Sequence, residues 1–132
     1  MGARHKARKR ALDILFEADQ RGTPVDAMLV DHQGRGEGAP SNPYTETLVR
    51  GVVEHASEID ALIEKHSVDW TLDRMPAVDR AVLRLGTFEL RWGPEDVAPA
   101  VVIDEAVQLA KELSTDESPG FVNGVLGRIA AD

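Results

Sequence analysis

The chain of 132 residues contains no cysteine, which excludes disulfide bonds, thiolate metal sites and cysteine nucleophiles. It also has no apolar run close to the roughly 20 residues that span a bilayer, so no transmembrane segment is predicted. The N-terminus is basic, as in a signal peptide, but Asp13, Glu17 and Asp19 fall where the apolar signal core would have to lie. We therefore expect a cytoplasmic protein.

Charge is distributed unevenly along the chain. The net charge is −8, yet the first ten residues carry five cations and no acid, so the rest of the chain has a net charge of −13. The cations are Arg4, Lys6, Arg8, Lys9 and Arg10. Such an asymmetry predicts one local anion-binding patch on an acidic body, which would repel nucleic acid from its other faces.

Apolar residues recur at helical spacing through most of the chain, and no long segment has the period-two pattern of a strand. In the N-terminal part, a helix is predicted over residues 4–20, ended by Gly22, and a short helix is predicted to begin at Pro24. Three glycines and two prolines within residues 33–43 predict a flexible loop there.

The middle of the chain predicts one long helix. Its apolar stripe continues from Tyr44 to Ile63, and Gly51 or Ser57 could mark a bend within it. Residues 69–75 are predicted as a connection.

In the C-terminal part, Pro76 is expected in the first turn of a helix over residues 78–90, which is apolar nearly all round and therefore central. Pro99 is predicted to open the next helix, and Ser118 to cap the last one. The fold class is thus all-α, with about six or seven helices. We expect a single domain over residues 1–132 with one shared core, divided into helical halves of about 1–70 and 76–132.

The sequence offers little material for catalysis. No nucleophile–base pair can be read from it, and the glycine-rich loop lacks the Gly-Lys-Ser/Thr end of a phosphate-binding loop. No two histidines form a metal-ligand pattern. The histidines are His5, His32, His55 and His66. The prediction is a protein without metal, cofactor or enzymatic activity.

The basic start could be a disordered tail or part of an ordered helix. It leads directly into the apolar stripe of the first helix, which favours cations on an ordered surface, within reach of a phosphate backbone. If three to five phosphates are engaged, affinity for single strands should fall with salt at a log–log slope of roughly −2 to −4.

Three ordered stretches, covering about half of the chain, resemble the NusB family. They are RKRALDILFEADQ near the start, VDRAVLRLGTFEL in the middle and PAVVIDEAVQLAKELSTDESPGFVNGVLGRIA near the end. The resemblance implies two small helical bundles packed against each other. It also implies a non-enzymatic factor that binds the boxA element of nascent ribosomal RNA together with the ribosomal protein NusE. With RNA polymerase, this complex suppresses premature termination.

The same resemblance implies an RNA surface on two parts of the chain. Its residues would be Arg4, Lys6, Arg8, Lys9 and Phe16 from the first helix, and Glu117, Ser118 and Phe121 from the turn before the last helix. Cations would hold phosphates and aromatic rings would hold bases, although both phenylalanines could instead be core residues. Asp79 would face NusE or, alternatively, pair with a nearby arginine.

The chain departs from the family pattern at two places. The turn before Phe121 reads Ser118-Pro119-Gly120, where the family pattern often has basic residues, and Ala18 stands where some relatives have an aromatic residue. Both departures would weaken the grip on RNA. Gly124 lies inside a predicted helix at a cost of about 1 kcal/mol relative to alanine, and a close approach of another helix would explain it.

Three other interpretations are open. The chain could be the RNA-binding module of an RNA methyltransferase, or a helical protein–protein adaptor that ignores RNA. It could also form a homodimer through the first helix, which would hide the RNA surface until the dimer opens.

Overall fold

The computed structural model describes residues 2–34, 42–68 and 70–132, and within these ranges the chain is helical with no strand. Seven α-helices are described, and a 3-10 turn at Leu72–Arg74 precedes the fifth. The helices are α1 (Ala3–Arg21), α2 (Val25–Gly34), α3 (Pro43–Glu54), α4 (Ala56–His66), α5 (Ala77–Trp92), α6 (Pro99–Leu113) and α7 (Ser118–Ala131). The all-α prediction is confirmed. None of the described helices is long and apolar enough to cross a membrane.

The first helix begins and ends within one residue of its prediction. Gly22 has a φ of 64°, in the left-handed region, and its N–H is directed at the carbonyls of Ala18 and Asp19. Glycine adopts this conformation without the steric cost that other residues incur, so it ends the helix as predicted. Of the predicted loop over residues 33–43, the first two residues belong to α2, Asn42 is the N-cap of α3 and Pro43 is its first residue, while 35–41 lie outside the described residues.

The prediction of one helix over residues 44–63 is wrong. The chain breaks at His55, with φ −107° and ψ 20°, into α3 and α4. The imidazole of His55 stacks on the indole of Trp92 at a centroid distance of 4.1 Å, which fixes the break. Gly51 stays helical instead of bending. A side chain would not fit there, because a Cβ would lie 2.2 Å from ring atoms of Phe88. That glycine serves the close approach of α3 and α5.

Helix α5 lies at the centre, as its apolar pattern predicts, and packs against α1, α3, α4, α6 and α7. At Gly86 the approach of α7 is close, since a Cβ would lie 2.8 Å from Leu126 Cδ1. Pro76 stands one residue before the helix, at the N-cap position, and not in the first turn. Its carbonyl accepts the N–H of Arg80 at 3.1 Å.

The described part of the core is one contiguous cluster that draws on both halves of the chain. Leu12, Leu48, Ile63, Leu83 and Leu126 are each at most 1% exposed and belong to it. Burying one large aliphatic side chain stabilises the folded protein by about 1.5–3 kcal/mol. This cluster fixes α1 against the later helices, and so fixes the direction in which its basic residues point.

Candidate nucleic-acid interface

The basic residues of the N-terminus lie on the first turns of α1, an ordered helix and not a tail. Three of them project outward: Arg4, Lys6 and Lys9. Arg4 Nη1 pairs with Asp96 at 3.2 Å and Lys9 Nζ with Glu112 at 3.7 Å, both between exposed side chains. Among the described residues, Lys6 has no acidic partner.

Arg8 points into the protein and is only 3% exposed. Its Nε donates to both carboxylate oxygens of Glu89, at 2.8 and 3.1 Å, and its Nη2 donates to Glu89 Oε2 at 3.0 Å. Sequence reasoning placed Arg8 among the RNA contacts, yet in this conformation its guanidinium presents almost no surface to a phosphate. It ties α1 to α5.

Glu89 receives a second donor from Tyr44, whose hydroxyl donates to Oε2 at 2.7 Å. Burial and the hydrogen bond to the Glu89 carboxylate raise the pKa of Tyr44 above its ordinary value. Arg8, Glu89 and Tyr44 thus join α1, α5 and α3 through one buried polar group. Neither Glu89 nor Tyr44 was predicted, because nothing in the local pattern pairs residues so distant in sequence.

Further contacts hold the N-terminal turns of α1 in place. Thr45 Oγ1 donates to the carbonyl of Ala7 at 3.1 Å, and Asn42 Nδ2 donates to the carbonyl of Ala3 at 3.2 Å. His5 Nδ1 lies 2.6 Å from Glu105 Oε2. Because α3 and α6 clamp this end of α1, its exposed cations keep a fixed spacing.

The second predicted group surrounds the start of α7. Phe121 of this group, like Phe16 on α1, is half-buried and packs against the core, so each keeps some exposed ring surface. Glu117 is exposed, whereas Ser118 is completely buried. The prediction that Ser118 caps α7 is wrong, because the N-cap position is occupied by Glu117 and α7 begins at Ser118.

The Ser118 hydroxyl instead belongs to a chain of hydrogen bonds inside the α6–α7 turn. It accepts the N–H of Thr115 at 3.2 Å and donates to Ser114 Oγ at 3.0 Å. Ser114 Oγ in turn donates to Asp79 Oδ1. These hydrogen bonds connect the α6–α7 turn to the first turn of α5. Ser118 therefore supports the surface of the α6–α7 turn from inside the protein.

Asp79 is fully buried, and its Oδ2 has no hydrogen-bond partner among the described residues. The alternative that it pairs with a nearby arginine is wrong, since its partner is Ser114. The adjacent Arg80 pairs with Asp19 at 2.6 Å instead. Contact between Asp79 and NusE stays a prediction.

Two residues that sequence reasoning missed, Trp70 and Arg128, line a groove beside the start of α7. The groove has a volume of about 410 Å³ and also includes Glu117, Gly120, Phe121 and Gly124. The rings of Trp70 and Phe121 meet edge to face, with centroids 4.8 Å apart. The sequence contained one signal for this groove: a tryptophan, Trp70, in a polar connection, and a phenylalanine, Phe121, near the start of a later helix.

The prediction that Gly124 allows close approach of another helix is wrong. The nearest atom to a Cβ there would be Arg128 Nη1, at 3.3 Å, one turn along the same helix. The missing side chain therefore gives the guanidinium room to lie against α7. Close packing of helices occurs at Gly51 and Gly86.

The structure thus defines a class: a small all-α protein with a cationic first helix locked onto an otherwise acidic body. A family model, that of the NusB family, matches residues 5–131. The chain belongs to the NusB family, a family of transcription antitermination proteins.

Curated relatives agree over nearly the whole chain. The transcription antitermination protein NusB of Saccharopolyspora erythraea is 61% identical over 130 residues, which cover 98% of this chain and 88% of the relative. That of Nocardioides sp. is 59% identical over 129 residues, covering 98% and 94%. Because these relatives are matched along most of their own length, they favour an antitermination factor over the module of an RNA methyltransferase.

Solved structures show the same fold. T. maritima NusB has a TM-score of 0.88 and 34% sequence identity, with coverage of 99% of this chain and 92% of that one. A crystal structure of antitermination factors NusB and NusE in complex with dsRNA gives a TM-score of 0.82 at 31% identity and 98% coverage of both chains. The chain therefore shares the fold of solved NusB structures over nearly its whole length.

Proposed function

We propose that this protein is a cytoplasmic antitermination factor that binds the boxA element of nascent ribosomal RNA together with NusE. In the antitermination complex it helps RNA polymerase to avoid premature termination. It acts by binding, without catalysis or a cofactor. The observation that carries the proposal is the exposed cationic face of α1 on a chain whose relative is seen with NusE and RNA.

The face of α1 suits a phosphate backbone because its ion pairs are exposed. The side chains of Arg4 and Asp96 are 43% and 71% exposed, and those of Lys9 and Glu112 are 46% and 54% exposed. Ion pairs of this kind contribute about 0–1 kcal/mol each. RNA phosphates can therefore replace Asp96 and Glu112 at little cost in free energy. Lys6, which has no acidic partner among the described residues, can bind a phosphate without breaking an ion pair.

Arg8 has a different part in the proposal. Its buried pair with Glu89 fixes the rotation of α1, and that rotation keeps Lys6 and its exposed neighbours on the outer face. Arg8 thus positions the RNA surface instead of contacting phosphate. Phe16 and Phe121 supply the half-buried rings on which unpaired bases can stack.

The test compares boxA RNA with a scrambled RNA of the same length in a gel-shift titration, with and without NusE. Lys6→Glu should weaken boxA binding. Arg21→Glu is the matched control, because Arg21 is exposed in the last turn of the same helix, roughly 22 Å away along its axis. Equal affinity for both RNAs, or equal effects of both substitutions, would contradict the proposal. A titration with boxA RNA in duplex form tests whether base pairing changes the affinity.

We further propose that Asp79 supports the contact with NusE through the α6–α7 turn. Its carboxylate is buried beneath Ser114, so it would hold the turn in the shape that NusE meets. Asp79→Asn should lower the affinity for NusE in calorimetry while leaving the Lys6-dependent part of RNA binding intact. Unchanged NusE affinity would remove Asp79 from the interface.

Self-association through α1 is a hypothesis that competes with RNA for the same face. Sedimentation of the protein alone and with boxA RNA tests it. A dimer that persists unchanged when RNA is bound would show that the dimer contact lies elsewhere.

A further inference from the structure

Three acidic side chains lie against the cationic face of α1. Asp96 comes from the turn before α6, and Glu105 and Glu112 lie about two turns apart on α6 itself. These three residues are called the acidic row below. We propose that the acidic row is an autoinhibitory contact, which occupies cations of α1 in the free protein and has to be displaced by RNA phosphates. The inference rests on the proposed function and adds a means of regulating the same face.

The two ends of the acidic row hold cations that RNA would use. Asp96 Oδ2 lies 3.2 Å from Arg4 Nη1, and Glu112 Oε1 lies 3.7 Å from Lys9 Nζ. Carboxylate and phosphate oxygens are both anionic acceptors, so they compete for the same N–H groups. They also repel each other, so a phosphate that approaches either cation has to move the carboxylate aside.

The fold has little need of these two outer ion pairs. All four of their side chains are exposed, and exposed ion pairs contribute little to stability. The same end of α1 is already fixed by the buried pair of Arg8 with Glu89, and by Thr45, whose hydroxyl donates to the carbonyl of Ala7. Stability alone therefore does not account for acids at these two places.

The middle of the acidic row fixes its position. Glu105 Oε2 lies 2.6 Å from His5 Nδ1, and Glu105 Oε1 lies 3.8 Å from Arg8 Nη1. These three side chains are largely buried, unlike those of the outer pairs. Glu105 therefore holds α6 in register with α1 and keeps the two outer acids beside the exposed cations.

Arg4 is prepared for the exchange of a carboxylate for a phosphate. Its guanidinium lies over the ring of Tyr44, 5.1 Å from the ring centroid, in a cation–π contact. Because this contact does not involve Asp96, the guanidinium keeps its place when the carboxylate leaves. A planar guanidinium can then bind the phosphate through two parallel hydrogen bonds.

The acidic row acts on the part of the RNA affinity that comes from phosphates. That part does not depend on base sequence, because every RNA carries the same backbone. Each RNA that docks on α1 meets the same carboxylates, so the row should lower the affinities for boxA and for scrambled RNA by the same factor. Salt screens exposed ion pairs, so the competition is strongest at low salt.

The test removes the competing charges and keeps the shapes of the side chains. Asp96→Asn and Glu112→Gln, singly and together, are titrated with boxA RNA and with scrambled RNA over a series of salt concentrations. Asp104→Asn is the matched control, because it removes the same charge from an exposed position of α6 that pairs with no α1 cation in the described part of the chain. Asp96→Asn is also made in the background of Arg4→Gln.

We expect each row variant to raise the affinity for both RNAs about two- to five-fold, and the double variant about ten-fold, as exposed ion pairs allow. The ratio of boxA affinity to scrambled affinity should stay the same. The gain should shrink as salt rises, so the log–log slope becomes steeper than that of the unmodified protein. With Arg4→Gln present, Asp96→Asn should raise the affinity no more than Asp104→Asn does. Thermal midpoints should be nearly unchanged.

The possible outcomes separate this inference from the function on which it rests. Gains no larger than that of the control would show that only net charge matters, and a lower thermal midpoint with unchanged RNA affinity would show that the row is structural. Either result overturns the inference, while a preference for boxA over scrambled RNA keeps the proposed function. If the unmodified protein binds both RNAs equally, the proposed function fails, and the fold-changes of the row variants still decide whether these acids compete with phosphates.

Discussion

Arg8 and Lys6 lie two positions apart on α1 and carry the same charge, yet the structure gives them opposite roles. We predict that Arg8→Met mainly destabilises the fold, whereas Lys6→Met mainly weakens RNA binding. Both substitutions remove one cation and keep a long side chain. The difference between them measures the buried ion pair, because Arg8 is 3% exposed and bound to Glu89 whereas Lys6 faces solvent.

The magnitude follows from what Arg8→Met leaves behind. Glu89 would remain buried without its cation, and breaking a buried pair in this way costs about 3–5 kcal/mol. Tyr44 still donates to the carboxylate, so we expect the lower end, about 3 kcal/mol. At this chain length that corresponds to a thermal midpoint roughly 10 °C lower. Lys6→Met should stay within about 0.5 kcal/mol of the unmodified protein.

The assay combines urea denaturation with RNA titration below the melting range of both variants. Lys6→Met should lower the salt dependence of RNA binding by about 0.7 in log–log slope, the value for one phosphate on a single strand. Arg8→Met should leave that slope unchanged. The double variant Arg8→Met with Glu89→Leu should recover part of the lost stability, because no buried charge is left alone.

Equal stabilities of the two single variants would refute the reasoning, since the Arg8–Glu89 pair would then contribute nothing that an exposed lysine does not. A reduced salt slope for Arg8→Met in the folded state would show that Arg8 reaches RNA directly.

Further predictions concern packing, pH and affinity. Gly51→Ala should destabilise the protein by about 1–3 kcal/mol in urea melts, because the new methyl overlaps an aromatic ring. Gly127→Ala, with open space around its Cβ, should stabilise the protein by roughly 0.5–1 kcal/mol. A change of the same sign in the free energy of unfolding for both variants would contradict this reasoning. Tyr44 is the only tyrosine, so in the folded protein the tyrosinate absorbance band should appear only at a pH above the ordinary pKa of 10.0. In urea the midpoint of this titration should return to the ordinary pKa. Because folding raises the pKa of Tyr44, its protonated hydroxyl makes its full contribution to the free energy of unfolding below pH 10.0. That contribution is lost as pH rises through the pKa of the folded state. Tyr44→Phe should remove this loss of stability at high pH. Gly120→Lys should tighten boxA binding more than Gly127→Lys, and equal gains would show that only net charge matters.

Much of the secondary structure could be predicted, because it is decided by neighbours in sequence. Apolar spacing gave α1 to within a residue at each end, and Gly22 and Pro99 marked an end and a start at their predicted places. Proline lacks the N–H that a helix interior needs, and glycine tolerates the left-handed backbone of Gly22. Both preferences act locally. The charge pattern sufficed for a cationic first helix, and the resemblance of three stretches to NusB sequences sufficed for the family.

Tertiary structure decided whatever depends on residues far apart in the chain. Periodicity could not foresee that His55 would break a helix to stack on Trp92, nor that Arg8, read as a surface cation, would find Glu89 81 positions away. The groove of Trp70, Phe121 and Arg128 exists only once the connection before α5 is packed against α7. The free energy of a buried ion pair or an open groove depends on which distant groups share the space, and local propensity carries no information about that.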